Sequence, residues 1–259
     1  PCKAGRGAVC AKQLFPGNDA HGGFASHVVV PGRGLCVVSD EQLDRSEVDL
    51  ATLSVIADAV TTPYQAILNA GLKKGDLAIF IGVGGVGNFG VQLASAMGAH
   101  VVAIDVDPVR LEGMKQYGAE KTIQSHDDLR AIKKEIRGWA KEKGYPLISW
   151  KIFETSGHPG GQSLAVALLG YDAHLAVVGY TRAKIEIRLS NLMAFDATMR
   201  GTWGCLPEHY PAVVDFILTG RVKLGPFVEK REMNTLNELF EELHAHRLKK
   251  RPVMIPDFN

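Results

Sequence analysis

Leu77-Ala-Ile-Phe-Ile-Gly-Val-Gly-Gly-Val-Gly87 joins an apolar run to a glycine-rich turn. Leu77 to Ile81 is a short unbroken apolar run, the kind that makes a parallel strand buried on both faces. It leads directly into Gly82, Gly84 and Gly87, which fit the G-x-G-x-x-G spacing. The first glycine allows a tight turn, the second lets backbone approach a pyrophosphate, and the third lets a helix pack on the strand. The spacing predicts that helix over 85–97, with Val86, Phe89, Leu93 and Met97 toward the sheet and Gly98 closing it. Its first N–H groups, from Gly85 and Val86 onward, suit phosphates. A second strand is predicted at 100–104, and Asp105 stands at its end, roughly 20 residues beyond the glycines. A carboxylate there accepts hydrogen bonds from both ribose hydroxyls of NAD and repels a 2′-phosphate. A glycine turn alone is often only a turn, but here strand, helix and acid agree.

The 259 residues are 46% hydrophobic and 22% charged, a composition able to bury one large core or two modest ones. The formal net charge is +1 with both signs interspersed, which points away from nucleic-acid and membrane partners. No apolar run approaches the ~20 residues of a membrane span, and the first residues carry neither an initiator Met nor a signal-peptide core. The N-terminus reads as cut. Cys2, Cys10, Cys36 and Cys205 are too few and too scattered for a disulfide framework, so a reducing cytoplasm is expected.

Before the glycine turn, 22–31 and 34–38 are β-branched runs after glycines and read as antiparallel strands of a separate domain. Residues 46–59 turn helical, with Val48, Leu50, Leu53 and Ile56 on one side. Thr62 reads as an N-cap with Pro63 at the first helical position, and that helix ends near Gly71. After Asp105, strands at 121–123, 149–154, 174–178 and 198–202 alternate with helices, including 127–143 and 161–169. This rhythm means βαβ units and a doubly wound parallel sheet of six strands. The tail holds helices at 208–218 and 235–246 and a strand at 252–255.

Several stretches together resemble the zinc-containing, medium-chain alcohol dehydrogenases: the Cys2–Cys10 loop, Gly22-Gly23-Phe24, Thr61-Thr62-Pro63-Tyr64, the glycine turn and Lys250-Arg251. Longer strings, Leu192-Met193-Ala194-Phe195-Asp196-Ala197, Gly201-Thr202-Trp203-Gly204-Cys205 and Leu224-Gly225-Pro226-Phe227-Val228-Glu229, resemble members that oxidise an alcohol on an alicyclic acyl-CoA. The resemblance implies a Rossmann domain at 59–203 and a discontinuous β-rich catalytic domain at 1–58 and 204–259. It further implies NAD and zinc as cofactors, an acyl-CoA substrate and a homo-oligomer. The catalytic domain's N-terminal part is expected to be missing from this chain, and with it two catalytic zinc ligands.

By the same resemblance Cys2 and Cys10 match the last two of four structural-zinc cysteines, and Asp58 stands where many members place a zinc-binding cysteine. Asp58 is therefore a candidate catalytic zinc ligand, and equally a residue that caps the following turn. Thr155, after the fourth parallel strand, and Gly179 and Tyr180, after the fifth, lie where an open α/β sheet binds ligands and resemble the nicotinamide-side loops. Arg251 matches an arginine on the cofactor pyrophosphate, and Arg110 is a candidate for the adenosine ribose. Two other readings fit the residues, a zinc-free reductase of the quinone-reductase kind and an NAD-binding module without catalysis.

Overall fold

Apolar runs alternating with amphipathic segments dictate a sheet covered by helices, and the computed structural model has this form over the residues it describes, 2–5, 7–245 and 247–256. The chain divides into two units, one spanning Thr62–Trp203 and the other joining the residues before it to those from Gly204 on. Among the described residues no helix is long and apolar enough to cross a membrane.

The first segment contains two short helices, α1 (Asp40–Asp44) and α2 (Leu50–Leu53). Ser39 and Gln42 cap α1 reciprocally, and Asp49 accepts from the Thr52 N–H at 2.8 Å to start α2. The single helix expected over 46–59 is instead α2 followed by a 3₁₀ turn, Ser54–Ala57. The strands expected at 22–31 and 34–38 are not formed. A β-branched run becomes a strand only when a neighbouring backbone completes its hydrogen bonds, and among the described residues these runs have no ladder. Val29 and Val37 stand out into solvent. Next comes α3 (Thr61–Asn69), which begins two residues earlier than expected, so that Thr62 and Pro63 lie in its first turn.

Six strands make the sheet: β1 (Leu77–Ile81), β2 (His100–Asp105), β3 (Lys121–Gln124), β4 (Lys151–Glu154), β5 (His174–Val177) and β6 (Thr198–Gly201). Between them run α4 (Gly87–Ala96), α5 (Pro108–Lys115), α6 (Leu129–Lys143), α7 (Pro159–Leu168) and α8 (Ser190–Phe195). Every pairing is parallel, in the order β3-β2-β1-β4-β5-β6. All of β1 is buried because helices cover both faces. Leu77, Ile79 and Ile81 pack with Ile132, Ile136 and Leu164 on one side. On the other, Phe80 stacks on Phe153 with ring centroids 4.6 Å apart. Gly90 of α4 lies against that ring, where an added Cβ would come within 2.3 Å of Phe80. The strand order reverses between β1 and β4, and it is at the C-terminal ends of strands at such a reversal that open α/β sheets bind ligands.

The chain then forms α9 (Tyr210–Leu218), β7 (Val228–Glu232), α10 (Leu236–His244) and β8 (Arg251–Ile255). β7 and β8 pair in parallel from Val228 opposite Arg251 to Glu232 opposite Ile255. The sequence reading contains no strand at β7, because Glu229-Lys230-Arg231-Glu232 has the polarity of a solvated turn. Only its partner across α10 makes it a strand.

Candidate functional site

The three glycines of the turn are needed for different reasons. Gly82 has φ +85°, and a Cβ there would lie 2.6 Å from the backbone of Ser156. At Gly87 a Cβ would fall 1.8 Å from the Gly82 carbonyl oxygen. The protein's own packing excludes a side chain at both. At Gly84 the nearest atom to such a Cβ is the Arg110 Nη1, 3.8 Å away, so that position stays open to an approaching group. Gly85 beside it is exposed, and the turn delivers the chain to the N-terminus of α4 through Val86, its N-cap. Converging N–H groups and the positive end of the helix dipole make such a terminus an anion site.

Asp105 ends β2 only 6% exposed. Its Oδ2 accepts from the Val83 N–H at 2.7 Å and its Oδ1 from the Asp107 N–H at 3.0 Å. The carboxylate therefore holds the glycine turn onto the sheet, a task that spacing alone does not reveal. Each carboxylate oxygen keeps further acceptor capacity for a ribose hydroxyl. Arg110 lies beside it, Nη1 4.0 Å from Asp105 and Nε 3.6 Å from Asp107, with half of its side chain in solvent. Two carboxylates thus already attend the one guanidinium.

Across the strand-order reversal, Thr155 donates its hydroxyl to the carbonyls of Gly82 at 2.6 Å and Ile81 at 3.0 Å. This side chain braces the glycine turn from β4. Gly179 and Tyr180 follow β5, and Tyr180 is largely exposed. The sequence reading passed over Glu154, the fully buried last residue of β4. Its available signal was a carboxylate closing an apolar run directly before Thr-Ser-Gly.

In the other unit, Asp58 follows the 3₁₀ turn and its Oδ2 lies 3.9 Å from the Arg251 Nη1 at the start of β8. These two candidates share one place, with the Asp58 side chain mostly exposed. Tyr210 donates to the Ala57 carbonyl at 2.8 Å. Burial pushes the Cys205 thiol pKa up to about 12, so at neutral pH the free thiol is protonated and a poor nucleophile. Cys10 lies in the N-terminal loop, and the Cys2 side chain is outside the described residues. Among the described residues no group of three or more His, Cys, Asp or Glu side chains converges to hold a metal. A tetrahedral zinc takes three or four protein ligands, and the described residues do not by themselves fit it.

A protein-family model described as zinc-binding dehydrogenase matches residues 85–219. The chain is 27% identical over 255 residues to an alcohol dehydrogenase of Geobacillus stearothermophilus, covering 98% of this chain and 70% of that protein. It is 25% identical over 255 residues to an alcohol dehydrogenase of a Moraxella species, with the same coverage of both. The alcohol dehydrogenase structure from the archaeon Aeropyrum pernix matches with TM-score 0.76 and 25% identity, over 98% of this chain and 71% of that one. Galactitol-1-phosphate dehydrogenase from Escherichia coli has the same fold, with TM-score 0.82 at 22% identity over 96% of this chain and 71% of that one.

Proposed function

This chain belongs to the zinc-binding dehydrogenase family, and from that premise we propose that it is an NAD-dependent oxidoreductase of the alcohol dehydrogenase type. The observation that carries the reading is the buried Asp105 carboxylate, bonded to the Val83 N–H of the glycine turn beside the strand-order reversal. Gly82, Gly84 and Gly87 shape the turn, Gly85 and Val86 lead into the helix end that receives the pyrophosphate, and Asp105 takes the ribose hydroxyls. Arg110 flanks that ribose. Thr155, Gly179 and Tyr180 border the nicotinamide half. NAD, when bound, supplies the hydride acceptor; the chain's part is to bind, orient and exclude water.

The finer reading is oxidation of a secondary alcohol on an alicyclic acyl-CoA, 6-hydroxycyclohex-1-ene-1-carbonyl-CoA to its 6-oxo product, in anaerobic aromatic degradation. It is supported by the strings around Leu192–Ala197, Gly201–Cys205 and Leu224–Glu229. A cytoplasmic homo-oligomer belongs to the same reading. The family description implies zinc, but the described residues supply no complete ligand set for it.

The test is direct. NADH and NADPH are titrated against the purified protein, and NAD reduction is followed with the cyclic hydroxyacyl-CoA and with simple secondary alcohols. We expect NADH to bind and, where zinc is held by a complete ligand set, kcat/KM for the thioester to exceed that for cyclohexanol at least about tenfold, since binding energy from the remote CoA contributes to the transition state. Binding of neither nucleotide overturns the dinucleotide reading, binding of NADPH alone overturns the choice of NAD, and equal kcat/KM values overturn only the substrate.

A further inference from the structure

Glu154 occupies the point where the two halves of the sheet meet at their ligand-binding ends. It is fully buried, the last residue of β4 beside β1. Its Oε1 accepts three hydrogen bonds from the loop that follows: from the Ser156 N–H at 2.8 Å, the Ser156 hydroxyl at 2.5 Å and the Gly157 N–H at 3.0 Å. Its backbone carbonyl accepts from the N–H groups of Val178 and Gly179, both at 2.9 Å, in the loop after β5. One residue therefore grips both loops.

Glycines surround this carboxylate. A Cβ on Gly179 would stand 2.8 Å from the Glu154 Oε2 and 2.2 Å from the Gly157 nitrogen. A Cβ on Gly161 would stand 3.3 Å from Oε1 and 2.1 Å from the Ser156 hydroxyl. Gly157 has φ +64°, and a Cβ there would meet the Tyr180 carbonyl at 2.6 Å. The loops after β4 and β5 thus touch backbone to backbone, with the carboxyl group closed between them. Oε2 has no hydrogen-bond partner among the described residues. A buried carboxylate oxygen without a partner is costly. Core packing would be served as well by an apolar side chain of this size, so the group is retained for the three donors that Oε1 holds.

We infer that Glu154 is a positioning residue for the dinucleotide: its buried carboxylate locks the loops after β4 and β5 into one preformed surface for the nicotinamide half. This rests on the NAD reading above. In a doubly wound sheet each half serves one mononucleotide. With Asp105 on β2 assigned to the adenosine ribose, the β4–β5 side faces the other half of NAD. Preformed loops lower the ordering cost of binding that half.

The experiment compares NADH with ADP-ribose, which lacks the nicotinamide, by calorimetry on the full chain and on Glu154→Met, Glu154→Gln and Gly179→Ala. Met matches the shape but offers Ser156 and Gly157 no comparable acceptor, whereas Gln keeps one. We expect Glu154→Met to weaken NADH about tenfold, the order of one lost charge-assisted hydrogen bond. ADP-ribose should stay within about twofold, and Glu154→Gln should remain near the parent. If Glu154→Met does not fold, Gly179→Ala carries the test, because its Cβ drives the same two loops apart and should give the same NADH-selective loss. Equal loss for both ligands, no loss for either, or a Glu154→Gln as weak as Glu154→Met overturns the inference. A parent protein that binds neither ligand overturns the dinucleotide reading itself.

Discussion

Asp105 does two jobs with one carboxylate, and this shapes what its replacement will do. Opposite a 2′-phosphate its charge repels, and Asp107 adds to that, so NADH should bind at least about tenfold more tightly than NADPH. Asp105→Ser should narrow the gap in paired titrations. It should also lower stability by about 1–3 kcal/mol, because the Val83 and Asp107 N–H groups lose a buried acceptor. A narrowed gap with unchanged melting would show that the turn does not need the carboxylate. His174, at the start of β5, gives a pH dependence. Burial, with Lys151 and Arg200 nearby, lowers its pKa, and its Nε2 has no partner among the described residues. The unfolded chain takes up the proton as pH falls below about 6.5, while the folded one resists it. The unfolded state then binds more protons, so stability is full above that pH and declines as pH falls toward the folded pKa. Melting between pH 7.5 and 5.5 should show this decline, with a shallower slope in His174→Leu.

At the scale of elements, the helix–strand contact that seats the glycine turn depends on Gly90. With 2.3 Å to the Phe80 ring, Gly90→Ala must push α4 off β1 or turn Phe80 against Phe153. Overpacking of this kind costs about 1–3 kcal/mol. Glycine-to-alanine within a helix would otherwise stabilise by up to about 1 kcal/mol, so the sign of the measured change in denaturant midpoint decides between packing and propensity. We expect destabilisation, accompanied by weaker NADH binding because the start of α4 moves with it. The same element was largely legible in advance: Phe89 and Leu93 are fully buried where the 3.6-residue period puts them, while the helix runs Gly87–Ala96 rather than 85–97 and leaves Val86 and Met97 half-buried at its two caps. The strands expected at 22–31 and 34–38 were misread because composition encodes a preference for extended backbone and says nothing of a partner.

At the scale of the whole molecule, NADH at about 100 times its dissociation constant should add ~2.7 kcal/mol of stability to the unit that binds it. Because the glycine turn, Asp105 and the loops after β4 and β5 all lie within Thr62–Trp203, limited proteolysis with NADH should protect that segment preferentially. Uniform protection along the chain, or none, would contradict this assignment of the binding groups. The doubly wound sheet, its six strands and the Gly82-to-Asp105 constellation were determined by the sequence itself. Their signals are local: a fully buried strand is an apolar run, a covering helix repeats every 3.6 residues, and a tight turn needs glycine. The tertiary structure alone decided that β7 is a strand, that Asp58 faces Arg251, that Asp105 anchors the turn and that Glu154 sits closed among glycines. In each case the deciding group is a hydrogen-bond, charge or packing partner supplied by another turn or element of the fold, and periodicity along a chain records which side of a residue is buried but not which partner meets it there.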